Sequence, residues 1–247
     1  ASRVTGRPFA PLDLEYLDLV CNNVAAAIEN VLTRRSRDET YSLVVIALAR
    51  LAESRDNDTG QHLDRVTRFC LTLARELRLY PEYVATIDAQ FLRDVQLAAP
   101  LHDIGKVAIP DSILLKPGKL TEGEMAVMRT HVIVGVEAIE SVLARAPGAK
   151  FLHMAREMIG FHHERFDGSG YPDCLQGSEI PFSARLLAIA DVYDALTTKR
   201  VYKEAIPHAK AVEIIAQQSG THFDPVIVQA FLQCANEFEH LARELSD

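Results

Sequence analysis

The chain has 247 residues, 48% hydrophobic and 24% charged, the balance of an ordinary globular protein. Its 26 basic and 34 acidic residues leave a net charge of −8, which argues against a broad nucleic-acid surface and leaves any anionic ligand to a metal or a few placed cations. No apolar run nears the roughly 18 residues of a membrane span, no leader pattern is present, and Cys21, Cys70, Cys174 and Cys234 form no CxxC pair, so zinc-finger chemistry and a disulfide framework are disfavoured and the cytosol is the simplest location.

Strand alternation is nearly absent and helical spacing recurs throughout, which predicts an all-α protein. Residues 11–33 place Leu14, Leu17, Cys21, Val24, Ile28 and Val31 at steps of 3, 4, 3, 4 and 3. That seam reads either as one amphipathic helix packed on its own domain or as a parallel dimer helix carrying a signal. The polar run "TRRSRDET" at 33–40 suits a linker. "VAIPDSILLKPGKL" at 107–120 is punctuated as a connection. Thr121 and Glu124 fit a capping box opening a helix with Met125, Met128, Val132, Val136 and Ile139 on one side. Pro207 suits a first helical turn, Gly220 the stop after it, and Asp224-Pro225 the start of the last helix.

Nine histidines are present, and His62, His102, His131, His162 and His163 stand among apolar helical neighbours. His102 is followed by Asp103. Phe151, Ala155, Met158 and His162 share one helical face, and Leu187, Asp191, Asp194 and Thr198 share another. Inward polar groups without partners cost several kcal/mol in total, so histidines and acids on buried faces together predict a site. Imidazole and carboxylate without thiolate suit Fe, Mn or Zn. His62, His102, Asp103, His131, His162, His163 and Asp191 make seven ligands, enough for two metals sharing a bridging carboxylate. Such a pair suits phosphodiester displacement. Asp58 lies four before His62, one turn if that helix starts early. Lys106 could neutralise a phosphate oxygen. Arg200 and Lys203 read either as holders of a second phosphate or as a solvated cationic helix end.

"HDIGK" (102–106), "HHE" (162–164), "DGSGYP" (167–172), "IADVYDALTTKRVYK" (189–203) and "SGTHFDP" (219–225) occur in that order. Together they resemble the HD-GYP domain, a bacterial branch of the HD phosphohydrolase superfamily, over about 41–247. The resemblance implies a helical HD bundle with a two- or three-metal centre, usually iron or manganese. It implies hydrolysis of cyclic di-GMP to pGpG or onward to GMP. The same seven residues would be the ligands, with Asp103 bridging two metals. Lys106 would assist the attacking hydroxide or the scissile phosphate. Tyr171 would shape the substrate pocket, and Arg200 and Lys203 would hold the substrate's phosphates. Asp194, grouped with these substrate residues, would support the site from a second layer.

Asp58 stands where three-metal members of that family carry glutamate; the shorter side chain favours a binuclear site. Ala108 and Val201 replace a common glycine and proline without touching a ligand. The first 35 residues resemble the last helix of a GAF sensor domain, which implies residues 1–40 as sensor helix and linker, a homodimer through that helix, and a chain cut from a longer one. The competing expectations are a silent cyclic-dinucleotide receptor and an HD enzyme for another cyclic dinucleotide. Nucleic-acid polymers and membranes are not expected as partners.

Overall fold

The computed structural model describes residues 23, 24, 29, 40, 42–55, 61–199 and 204–246. The chain divides into two compact units, Ala1–Val44 and Val45–Asp247. Of the heptad-like seam only Val24 is described; Asp58, Arg200, Val201 and Lys203 also lie outside the described residues. Every candidate site residue that is described belongs to the larger unit.

The all-α expectation holds: no strand occurs among the described residues, only two isolated bridges, Asp167 with Gln176 and Ser219 with Phe223. In the larger unit a helical stretch over 45–53 comes first. After it come α1 (His62–Leu77), α2 (Ala89–Ala98), α3 (Asp111–Leu114), α4 (Glu122–Leu143), α5 (Lys150–Phe161), α6 (Phe182–Thr197), α7 (His208–Gln217) and α8 (Pro225–Glu244). Short 3-10 turns span Ala99–Leu101, Ile104–Ala108 and Gly177–Glu179. None of the described helices is long and apolar enough to cross a membrane.

Helix ends follow the local chemistry. The Thr121–Glu124 capping box opens α4 in both directions, and the Asp224 side chain accepts from the Val226 amide ahead of Pro225 in α8. One stretch differs from expectation: the 107–120 connection contains the single turn α3, because Pro110 and Asp111 suit a helix start. Helix α1 begins at His62, with Gln61 before it.

The core forms where α1 crosses α6 and α8. Leu63, Val66, Cys70, Leu73 and Leu77, at steps of 3 and 4, make one wholly buried stripe on α1. Phe69 stacks on Phe238 at 4.6 Å and meets Tyr193 edge-on at 5.1 Å. Each such buried ring is worth about 1.5–3 kcal/mol. The Tyr193 hydroxyl is satisfied by His208 Nδ1 at 2.8 Å. This aromatic block fixes α6 against α1, and therefore sets where their polar side chains meet.

One glycine fixes a second approach. A Cβ on Gly105 would lie 1.9 Å from the His131 carbonyl oxygen and 2.7 Å from the Gly135 amide nitrogen. The "HDIGK" turn thus rests directly on the α4 backbone, which has no side-chain end to yield. Gly105→Ala is expected to cost about 3 kcal/mol, the upper end for overpacking, measured by urea unfolding of the metal-free protein.

Candidate metal centre

Seven side chains converge from separate elements. His62 opens α1; His102 and Asp103 sit at the turn between two 3-10 segments; His131 is inside α4. His162 caps α5 with His163 next in the chain, and Asp191 projects from α6. The ligand atoms fall into two sets, each within 4.8 Å internally: Asp103, His131, His162 and His163, and His62, His102 and Asp191.

Asp103 sits between the sets. Its Oδ1 lies 3.3 Å from His131 Nε2 and 3.7 Å from His162 Nε2, while its Oδ2 lies 3.4 Å from His102 Nε2. Lys106 Nζ reaches the same Oδ2 at 2.8 Å. Asp191 Oδ1 is 3.9 Å from both His62 Nε2 and His102 Nε2.

The ring orientations have a common cause. His102, His131 and His162 donate from Nδ1 to the carbonyls of Ala99, Met128 and Met158 at 2.9, 2.8 and 2.9 Å. His62 Nδ1 meets Asp194 Oδ2 at 2.7 Å. A carbonyl or carboxylate can only accept, so Nδ1 carries a proton and the neutral ring offers its Nε2 lone pair to the centre. The Nε2 atoms of all four rings, and Asp103 Oδ1, are buried without a hydrogen-bond partner. Each such atom costs about 1–3 kcal/mol. Divalent cations between these rings and carboxylates would satisfy them together, so the residues fit a metal centre.

The electrostatics agree. Burial works to raise the Asp103 carboxyl, but Lys106 and His102 outweigh it and hold it well below the carboxylate range. Burial works to lower His102, yet Asp103 and Asp191 push it up to about 9. His162 falls to about 4 and His163 lower still, chiefly through burial. The same field at His102 favours a divalent cation, whose binding releases the proton.

The remaining expected residues take distinct places. Tyr171 lies on His163, ring to ring at 4.7 Å and 23°. Asp194 is 1% exposed, with Oδ2 on His62 and Oδ1 on Arg65 Nε at 2.5 Å, so it is placed to orient the His62 ring from behind. The "DGSGYP" loop is held at several points. The Asp167 and Phe166 amides donate to the carbonyls of Thr221 and His222, and Glu164 accepts from the Asp173 amide at 2.7 Å. A Cβ on Gly170 would lie 2.3 Å from the Arg165 nitrogen, so the loop folds onto its own start.

Sequence reasoning missed four residues. Arg65 lies three after His62 on the same helix face. Glu164 anchors the loop after the paired histidines. Arg129, two before His131, has its guanidinium carbon 4.7 Å from the Tyr171 ring centroid. Glu53 has Oε1 3.8 Å from His62 Nε2. Its signal was an acid one turn after Ala49, which is itself 2% exposed.

An all-helical scaffold holding two clusters of histidine and carboxylate has the donor set that a divalent metal centre needs. The chain belongs to the HD domain family, whose model matches residues 47–227. It is 42% identical over 235 residues to a cyclic di-GMP phosphodiesterase of Vibrio cholerae, covering 95% of this chain and 47% of the relative. It is 41% identical over 236 residues to the 3'3'-cGAMP-specific phosphodiesterase 2 of that organism, covering 96% and 43%. The fold is similar to the crystal structure of a cyclic GMP-AMP specific phosphodiesterase from V. cholerae, with a TM-score of 0.53 at 18% identity, covering 82% of this chain and 51% of that one. The chain spans about half the length of the curated relatives it matches.

Proposed function

We propose that this chain carries a metal-dependent phosphodiesterase domain of the HD-GYP branch that hydrolyses cyclic di-GMP to pGpG or GMP. The observation that carries the reading is the set of four partnerless Nε2 atoms turned toward Asp103 and Asp191. Two sets of donors sharing Asp103 support two ions, with iron or manganese suited to imidazole and carboxylate. Bound there, such a pair supplies Lewis acidity toward a phosphate oxygen and an activated water for in-line attack.

The chain's own groups do the rest. Asp103 stays ionised and holds the two ligand sets in register. Lys106 keeps an ammonium beside it, placed to meet a non-bridging phosphate oxygen. Tyr171 covers His163 and limits water on that side. Arg129, exposed beside Tyr171, offers a second cation to the dianionic substrate on a chain whose net charge is −8. Arg129→Ala is expected to raise KM for cyclic di-GMP about 10-fold, with a smaller change in kcat, as for loss of one charge-assisted hydrogen bond. Arg200 and Lys203 complete the proposed phosphate-binding set. Residues 1–40 are proposed as a sensor-domain helix and linker that pair two copies ahead of the catalytic domain at 41–247.

The decisive test is turnover. Purified protein loaded with Mn(II), or with Fe(II) anaerobically, should convert cyclic di-GMP to pGpG or GMP. No turnover in any metal state, with binding retained, would support a receptor instead. The relative specific for 3'3'-cGAMP favours one second reading, in which the same centre acts on a mixed cyclic dinucleotide. Parallel assays with both substrates decide between them by kcat/KM.

A further inference from the structure

We propose that Glu53 is a direct ligand of the metal ion held by His62, His102 and Asp191, supplying the additional carboxylate on that side of the centre. The inference rests on the metal-centre reading and extends it to a residue outside the expected set of seven.

The two donor sets are unequal. The set around His131 has four members and the set around His62 has three. His62 is 1% exposed, its Nδ1 is engaged by Asp194, and its Nε2 has no hydrogen-bond partner. That Nε2 faces two carboxylates: Asp191 Oδ1 at 3.9 Å and Glu53 Oε1 at 3.8 Å. Glu53 stands to His62 as the expected ligand Asp191 does, at the same range from the same lone pair. Its side chain is only 12% exposed. Of these atoms it is the buried His62 Nε2 that has no hydrogen-bond partner, and a divalent cation lying between it and the two carboxylates would satisfy it.

Glu53 is also held in place. One turn before it, Arg50 pairs with Asp64 of α1 at 2.6 Å. Two residues after it, Arg55 donates to the Val107 and Ile109 carbonyls and pairs with Asp111 at 2.7 Å. The stretch 45–53 is therefore tied on one side to the helix that begins with His62. On the other side it is tied to the segment just past the Asp103 turn. Glu53 sits between these ties, so its backbone is held relative to both ligand-bearing elements.

The test counts ions without relying on turnover. Wild type, Glu53→Ala, Glu53→Gln, Asp58→Asn and His102→Ala are loaded with Mn(II) and passed through a desalting column. Manganese per chain is then measured by elemental analysis, and affinity by chelator competition. We expect both Glu53 variants to lose one ion per chain, or to bind the weaker ion at least about 10-fold less tightly, with an unchanged helical circular-dichroism spectrum. Asp58→Asn should match wild type. Glu53→Gln preserves side-chain volume and guards against an alanine variant that fails to fold. Wild-type content and affinity in both Glu53 variants would overturn the inference, as would loss confined to Asp58→Asn. Failure of the metal-centre reading looks different: wild type would retain no manganese and His102→Ala would change nothing.

Discussion

Asp103→Ala should strip the protein of bound metal and lower turnover by more than about 100-fold, beyond the range for an outer-layer partner of a ligand. The helical circular-dichroism spectrum should stay as in wild type. Among the described residues Asp103 is the carboxylate whose two oxygens face both donor sets, at 3.3 Å from His131 and 3.4 Å from His102. Removing it takes a ligand from each side at once. It also frees Lys106 from its 2.8 Å contact and leaves the ammonium to move. The residue lies at the centre and outside the aromatic block, so the bundle does not depend on it for packing. Elemental analysis and a cyclic di-GMP turnover assay check the result. Retained activity would mean that the two donor sets do not share this residue.

Asp194→Ala should cost about 3–5 kcal/mol of stability, the usual penalty for removing one partner of a buried ion pair. For a domain of this size that is a fall in Tm of about 6–20 °C in the metal-free protein. Asp194 is 1% exposed, and its partner Arg65 has a side chain 3% exposed. Without the carboxylate, the Arg65 guanidinium loses its charged partner in a place water barely reaches. His62 also loses the acceptor that fixes its tautomer, so metal affinity should drop about 10- to 100-fold. Asp194→Asn should lie between, because the amide oxygen still accepts from His62 while the charge is gone. Thermal melts of all three proteins without metal, then chelator competition with metal, separate the two effects. A melt within about a degree of wild type for the alanine variant would mean that Arg65 finds its stability elsewhere.

The fold and the seven candidate ligands that it brings together were legible because their signals are local. Helical spacing along α1, α4 and α6, the box at Thr121 and Glu124, and adjacent pairs such as His102-Asp103 can be read without tertiary information. What stayed hidden is relational. Arg65 reads as a surface cation until α6 brings Asp194 across from it. Glu53 looks like one acid among many in a polar stretch, because only the ties through Arg50 and Arg55 turn it toward His62. Tyr171 was expected to shape the substrate pocket, and the close return of its loop at Gly170 is geometry that residue spacing does not show. Its resting place on His163 could not be read from spacing. Asp194 shares a helical face with Asp191, and nothing in that periodicity distinguishes a ligand from the residue behind one.

The clasp around Asp194 has a consequence in time. Arg65 binds Asp194 and also donates to the Leu245 carbonyl, 180 positions later, at 3.1 Å. The orientation of the first histidine in the centre is thus linked, through one arginine, to the last turn after α8. Contacts of such long sequence separation form late, after loop-closure entropy has been overcome. Truncation within that last turn should therefore loosen the arginine behind His62 and slow metallation, without removing any of the seven candidate ligands.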